Sequence, residues 1–221
     1  MAALKKTLVK IDFVSDVSCP WCVVGLKSLE EALTRVAPSI QADLHFEPFE
    51  INPKMVKEGE EINEHLARKY GGTPAQFAKN REAIRQRGEA VGFTFSMGAR
   101  ARIYNTFDAH RLLHWAGTKD ADTQHKLKMG LFTDYFTHGK DPSSETVLVD
   151  AAVAAGLDAQ EARTVLSSGQ FATDVKRAEA KWHAMGINGV PAVIINDEHM
   201  ISGGQPAEVF EQALRQIASD M

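Results

Sequence analysis

The tetrapeptide Cys19-Pro20-Trp21-Cys22 constrains this chain most. It holds both cysteines of a 221-residue sequence and separates two segments of different periodicity. Upstream, Val9, Ile11 and Phe13 alternate with Lys10 and Asp12, the period-two pattern of a strand over 7–15. Downstream, Leu26, Leu29, Leu33 and Val36 recur at three- and four-residue steps, with Lys27, Glu30, Glu31 and Arg35 between them. That spacing predicts an amphipathic helix ending before Pro38. Cys19 then falls at the helix N-cap and Pro20 at the first helical position, where its missing N–H sacrifices no hydrogen bond. The free amides and positive dipole end of the first turn face the Cys19 sulfur and favour its thiolate. Two intervening residues on a helical turn bring the sulfurs close enough to bond, with Cys22 the deeper of the two.

Three readings of the pair compete. A zinc site needs about four ligands. His110 and His114, four apart on a helix predicted over "NTFDAHRLLHWAG", could add two, but "HRLLH" lacks the glutamate of the zincin pattern. The second reading is a pair of inert buried thiols. The third is a redox couple, with the helix-terminus electrostatics as its physical basis. Trp21 brings no charge to the thiolate, and Asp12 and Asp16 oppose it if they lie near. Asp16 could take the proton from Cys22 as that thiol attacks, or could cap the strand-to-helix turn.

Composition narrows partners and compartment. Apolar content of 44% and charged content of 24% are ordinary for a soluble globular protein. A formal net charge of -4 leaves no basic excess to neutralise phosphates, so nucleic acid is not an expected partner. No stretch is long enough to span a bilayer, and "MAALKKTLVKIDFV" has no apolar run of signal-peptide length. No membrane partner is expected, and the expected compartment is the cytoplasm, where structural disulfides are uncommon. Two cysteines in a chain of this length are no stapling framework.

The remaining pattern is mixed. "DLHFEPFEI" reads as a second strand with Pro48 near its end. From about 58 to 168 helix signals repeat, including the capping box Thr73-Pro74-Ala75-Gln76, which opens a helix closing at Gly92. Leu127, Leu131, Phe132, Tyr135 and Phe136 mark another helix, and two short ones follow. Phe171, Val175, Ala178 and Trp182 stripe a helix that stops at Gly186. "PAVIIN" reads as a short central strand, "EHMIS" as its hairpin partner, and Val209 to Ile217 as a final helix. Pro191 opens the apolar strand; with a cis Val190–Pro191 bond, Val190 can offer its backbone to an extended substrate.

This order of elements resembles the thioredoxin superfamily, and the helical insertion resembles its DsbA branch. "DVSCPWC" with "GL", then "FEPFEINP", "NTFDAHRL", "GVPA" and "SGGQ" are similar to the FrnE-like subfamily, related to 2-hydroxychromene-2-carboxylate isomerases and kappa-class glutathione transferases. The resemblance spans nearly the whole chain. It implies an α/β, thioredoxin-like fold from residues 1–55 and 169–221, with an all-helical insertion domain over 56–168. It implies a disulfide oxidoreductase acting on protein or small-molecule thiols. Cys19 is then the nucleophile, Cys22 the resolving thiol, Pro20 and Trp21 the potential-tuning dipeptide and Pro191 the cis-proline. Asn105 and His110 match family positions near the insertion's inner face and are candidate substrate-binding residues. Extra C-terminal cysteines, present in some FrnE-like proteins, are missing here.

The expected chemistry uses no tightly bound cofactor and no metal, with glutathione a candidate redox co-substrate. Trp21, Val190, Met97, Phe132 and Phe136 are candidates for an apolar rim, each equally readable as core and the phenylalanines more readily so. A glutathione-dependent isomerase or transferase is the alternative enzyme; Arg100 and Arg102 could pair with a glutathione carboxylate, though they read more readily as solvated surface arginines. A binding module presenting an apolar cleft to unfolded chains is the non-enzyme alternative. Either way a dimer is compatible with the sequence, which does not fix the oligomeric state.

Overall fold

The computed structural model describes residues 6–221. The reading of residues 1–5, both as part of a leaderless start and as the beginning of the first domain, lies outside the described residues. In chain order the elements are β1 (Thr7–Ser15), α1 (Pro20–Val36), β2 (Ile40–Pro48), β3 (Glu60–Glu61), α2 (Ile62–Tyr70), α3 (Pro74–Ala90), β4 (Arg102–Ile103) and α4 (Phe107–Lys119). They continue with α5 (Ala121–Phe136), α6 (Glu145–Ala154), α7 (Ala159–Ser168), α8 (Ala172–Ala184), β5 (Ala192–Ile195), β6 (His199–Ser202) and α9 (Ala207–Ser219).

The main sheet has the order β2-β1-β5-β6. β1 runs parallel to β2, from Thr7 opposite Ile40 to Ser15 opposite Pro48, and antiparallel to β5, with Phe13 opposite Val193. Because β1 is central, both of its faces are covered, and its period-two alternation sorts side chains between two layers. Val9, Ile11 and Phe13 join Val193 and Ile195 in the core beneath α1 and α9. Val14, Ala192 and Ile194 face the other way, onto Trp182 of α8 and Ile187. Complete burial of such a side chain contributes roughly 1.5–3 kcal/mol.

The block between β2 and α8 packs into this framework. Phe93, Phe95, Phe132, Tyr135 and Phe136 share the core of β1, α1 and α9, so one apolar cluster crosses residues 55/56. A second cluster joins α4, α5, α6 and α7 and reaches back to Val17 in the turn after β1. The α3 capping box forms as the sequence dictates: Thr73 Oγ1 accepts from the Gln76 amide, and the Thr73 amide donates to Gln76 Oε1. α2 and the two-residue ladder of β3 and β4 carry no sequence signal of their own. Two residues have no periodicity, and α2 is only nine residues long, with Ile62, Leu66 and Tyr70 on one stripe.

Candidate active site

β1 delivers the chain to the α1 N-terminus through a turn pinned by Asp16. The Cys19 amide donates to the Asp16 carbonyl at 3.1 Å, and the Ser18 amide donates to Asp16 Oδ1 at 3.0 Å. Asp16 Oδ2 accepts from the Ile51 amide at 2.7 Å, tying the end of β2 to the same carboxylate. Cys19 takes the N-cap position in extended geometry, and Pro20 begins the helix.

The Val190–Pro191 peptide is cis. The Cys19 thiol donates to the Val190 carbonyl at 3.5 Å, so residues 171 apart in sequence meet at the sulfur. Two glycines allow this approach. A Cβ on Gly25 would lie 3.0 Å from Pro191 Cγ, and one on Gly204 would lie 2.9 Å from the Trp21 carbonyl. The Gly203 amide donates to the Pro191 carbonyl at 2.8 Å, and Arg87 of α3 donates to the Gly204 carbonyl at 3.2 Å. The "GL" and "SGGQ" motifs thus have a steric reason: α1, the Pro191 turn and the loop after β6 touch backbone to backbone.

Cys22 is fully buried and Cys19 is 4% exposed; both are free thiols. Burial pushes the Cys22 thiol well up, its contact with Cys19 pushes it further, and the Lys128 ammonium works against both. Lys128, on α5, is 1% exposed and lies 5.1 Å from the Phe132 ring centre. Burial brings its pKa down to about 8, against the pull of the Cys22, Asp16 and Cys19 charges. Burial alone would raise Asp16, but His110 and the Ser18 and Ile51 amides outweigh it and hold Asp16 below the usual carboxylate range. His110 Nε2 lies 3.7 Å from Asp16 Oδ1 and has no hydrogen-bond partner among the described residues. Glu50 sits beside this group. Its amide donates to Glu179 at 2.9 Å and its Oε1 accepts from Asn105 at 3.3 Å. Burial, then repulsion from Glu179 and Asp16, pushes Glu50 up to about 8.

The candidate residues separate accordingly. Cys19, Pro20, Cys22, Asp16, Val190 and Pro191 are brought together, with Trp21 38% exposed on the outer surface. His110 is buried behind Asp16, so it faces no surface a substrate reaches. Asn105 caps α4 through the Phe107 amide at 2.9 Å while holding Glu50. Both thus contact the acidic cluster, His110 at Asp16 and the half-buried Asn105 at Glu50. Asp12 pairs instead with Lys10 at 3.0 Å. His114 packs on Phe171, away from a shared zinc set with His110, and no metal-holding group of three or more ligands occurs among the described residues. Phe132 is core, whereas Met97 and Phe136 line an open cleft beside Pro20. Arg102, read as a solvated arginine or a carboxylate partner, donates to the Glu58 and Gly59 carbonyls at 2.9 Å each. Lys128 and Glu50 were missed, because a lysine in a helical stripe and a glutamate at a strand end both read as solvated.

The DSBA-like thioredoxin domain matches residues 10–215. The chain belongs to that family. This DsbA-like chain is 30% identical to a probable DsbA oxidoreductase from Streptomyces coelicolor, at TM-score 0.90, over 96% of this chain and 91% of that one. It is 24% identical over 208 residues to the uncharacterised YwbO of Bacillus subtilis (strain 168), covering 93% of this chain and 96% of YwbO. The fold is also that of a 2-hydroxychromene-2-carboxylate isomerase, at 15% identity and TM-score 0.70 over 96% and 97% of the two chains. The cytosolic disulfide reductase DsbM of Pseudomonas aeruginosa, solved with glutathione, aligns at 13% identity and TM-score 0.64 over 94% and 98%. DsbA-like oxidoreductase chemistry is therefore the frame for the site. No helix among the described residues is long and apolar enough to cross a membrane.

Proposed function

We propose that the chain exchanges a Cys19–Cys22 dithiol/disulfide couple with thiol substrates in the cytoplasm, with glutathione as redox co-substrate. The observation that carries this reading is the placement of the Cys19 sulfur at the α1 N-terminus, 3.5 Å from the Val190 carbonyl, with Cys22 buried one turn deeper.

In the reducing direction the Cys19 thiolate attacks a substrate disulfide. A mixed disulfide forms, and one substrate sulfur leaves with the electron pair and takes up a proton. Cys22 then gives up its proton and attacks the Cys19 sulfur, releasing the second substrate thiolate. The substrate disulfide is reduced and the Cys19–Cys22 dithiol is oxidised. The oxidising direction runs the same steps backwards, and the potential of the couple relative to the glutathione pool sets the sense. Cys22 needs help in its step, because burial opposes its thiolate. The Lys128 ammonium stabilises that thiolate, and the Asp16 backbone amide adds to it. Val190 offers its backbone as an edge for an extended substrate, and Trp21 and Pro20 flank the sulfur from the solvent side. The "DVSCPWC" pattern favours the FrnE-like branch.

The test is a pair of variants. Cys19→Ser is expected to abolish thiol–disulfide exchange, measured as reduction of a mixed-disulfide substrate by glutathione. Cys22→Ser is expected to accumulate mixed disulfides visible by mass spectrometry. Exchange that survives in Cys19→Ser removes the assignment.

A further inference from the structure

A cleft of about 270 Å³ opens beside Pro20, directly against the turn that carries Cys19. Its walls come from the start of α2, from Arg81 and Ile84 of α3, from the 95–101 segment and from Phe136 at the end of α5. The walls are apolar through Ile84, Met97 and Phe136, yet two half-buried guanidiniums enter them, Arg81 and Arg100. Arg100 lies over the Tyr135 and Phe136 rings, 5.0 Å from each centre. Arg81 donates to Asn63 Oδ1 at 2.9 Å.

Among the described residues, neither guanidinium has a carboxylate within 4 Å. Arg35, Arg68, Arg85, Arg111, Arg177 and Arg215 all do. Arg87, Arg102 and Arg163 satisfy themselves on backbone carbonyls. The carboxylate at the cleft edge, Glu61, is occupied as the α2 cap, accepting from the Glu64 amide at 2.8 Å and from Asn63 at 2.9 Å. In a chain of net charge -4, the two arginines free of carboxylates and carbonyls thus share one cavity, lined also by Pro20, the residue that follows Cys19. A guanidinium in such a place is matched by a planar anion that accepts two parallel hydrogen bonds.

We propose that this cleft is the binding site for a carboxylate-bearing low-molecular-weight disulfide or thiol, held by Arg100 and Arg81 with its sulfur presented to Cys19. The proposal rests on the exchange chemistry above and names the substrate class of the same site. The cavity lies near the lower end of the size range for small-molecule sites, roughly 300 Å³ and upward. It suits a compact carboxylate with an apolar or aromatic body, not a folded polypeptide.

The probes are two aromatic disulfides that react with the reduced protein: 5,5′-dithiobis(2-nitrobenzoate), which carries a carboxylate on each ring, and neutral 4,4′-dithiodipyridine. In both, Cys19 takes one sulfur, Cys22 closes the protein disulfide, and two aromatic thiols are released, so the dithiol is oxidised as the reagent is reduced. The readout is the ratio of the second-order rate constants, carboxylate reagent over neutral reagent. Arg81→Gln/Arg100→Gln is expected to lower that ratio at least tenfold, and Arg85→Gln, on the outer side of α3, to leave it within twofold. An unchanged ratio in the double variant, or an equal fall in Arg85→Gln, overturns the proposal. A second measurement is independent of the redox step. Calorimetric titration of Cys19→Ser with unreactive 4-nitrobenzoate is expected to show binding that weakens at least tenfold when both arginines are replaced; no binding overturns the site. If wild type reacts with neither disulfide while 4-nitrobenzoate binding still depends on the arginines, the exchange reading fails and the carboxylate site stands.

Discussion

Cys19 faces the Val190–Pro191 turn, and its neighbour Pro20 lines the cleft, whereas Cys22, one turn further into α1, is fully buried near the Lys128 ammonium and the Asp16 backbone, on the inner side where Asp16, His110, Glu50 and Lys128 are all buried. The outer side is assembled from backbone approach, apolar walls and half-exposed arginines. The inner side is assembled from charges that burial makes costly, and there burial drives Lys128 down to about 8 and Glu50 up to about 8. The outer cysteine thus sits where a substrate can reach it. The inner one sits where the protein's own charges decide when it ionises.

The largest effect should come from Lys128→Met. Removing the ammonium that favours the Cys22 thiolate should slow resolution of a mixed disulfide about tenfold near pH 7, the equivalent of about one pKa unit. Stopped-flow release of the second thiol measures it. The same variant should be more stable, by about 2 kcal/mol at pH 6, because the fold no longer buries a cation. The sign follows from linkage. A lysine whose folded pKa lies below its unfolded value is costly at low pH, and wild-type stability rises between about 8 and 10.5 as the unfolded chain alone keeps the proton. The gain should therefore disappear above that window. A variant with unaltered resolution would break the link between Lys128 and Cys22.

Glu50→Gln comes next and has the opposite pH sense. Glu50 keeps its proton in the fold up to about 8 but loses it near 4.5 when unfolded, so wild-type stability falls as pH rises between those values. The glutamine variant should be more stable by about 1–2 kcal/mol at pH 9 and no different at pH 4, read from urea unfolding midpoints. Equal midpoints at pH 9 would mean that Glu50 ionises freely.

Gly25→Ala probes the outer side. Its Cβ would meet Pro191 Cγ at 3.0 Å, so the Pro191 turn must shift by a few tenths of an ångström. A loss of about 1 kcal/mol in stability is expected, with a fall in exchange rate as the Val190 edge moves off Cys19. The smallest effect is reserved for Arg35, whose guanidinium joins Glu31, Glu208 and Glu211 in full solvent. Arg35→Ala should leave both the unfolding midpoint and the exchange rate at wild-type values, since exposed ion pairs contribute little. A large change there would erase the contrast between buried and exposed charge.

The helices and strands were legible wherever a segment was long enough to show a period. β1, α1, the capped α3 and the β5–β6 hairpin fall where alternation, three- and four-residue spacing and Thr73 place them. β3, β4 and α2 were not, being two residues long or, in α2, a nine-residue stripe of only three apolar side chains. The Cys19 turn was also local information, because a helix N-cap and a proline at the first helical position act within four residues.

What surrounds that turn was decided elsewhere. Lys128 looks like any surface lysine until α5 docks against β2 and removes it from water, and Arg100 reads as solvated until the Tyr135 and Phe136 rings hold it over a cleft. Arg102, its neighbour by two residues, is drawn to backbone carbonyls instead. Sequence periodicity reports which face of an element is apolar. Only the packing of one element on another fixes how far a charge is from water, and that distance sets its pKa, its partners and its use.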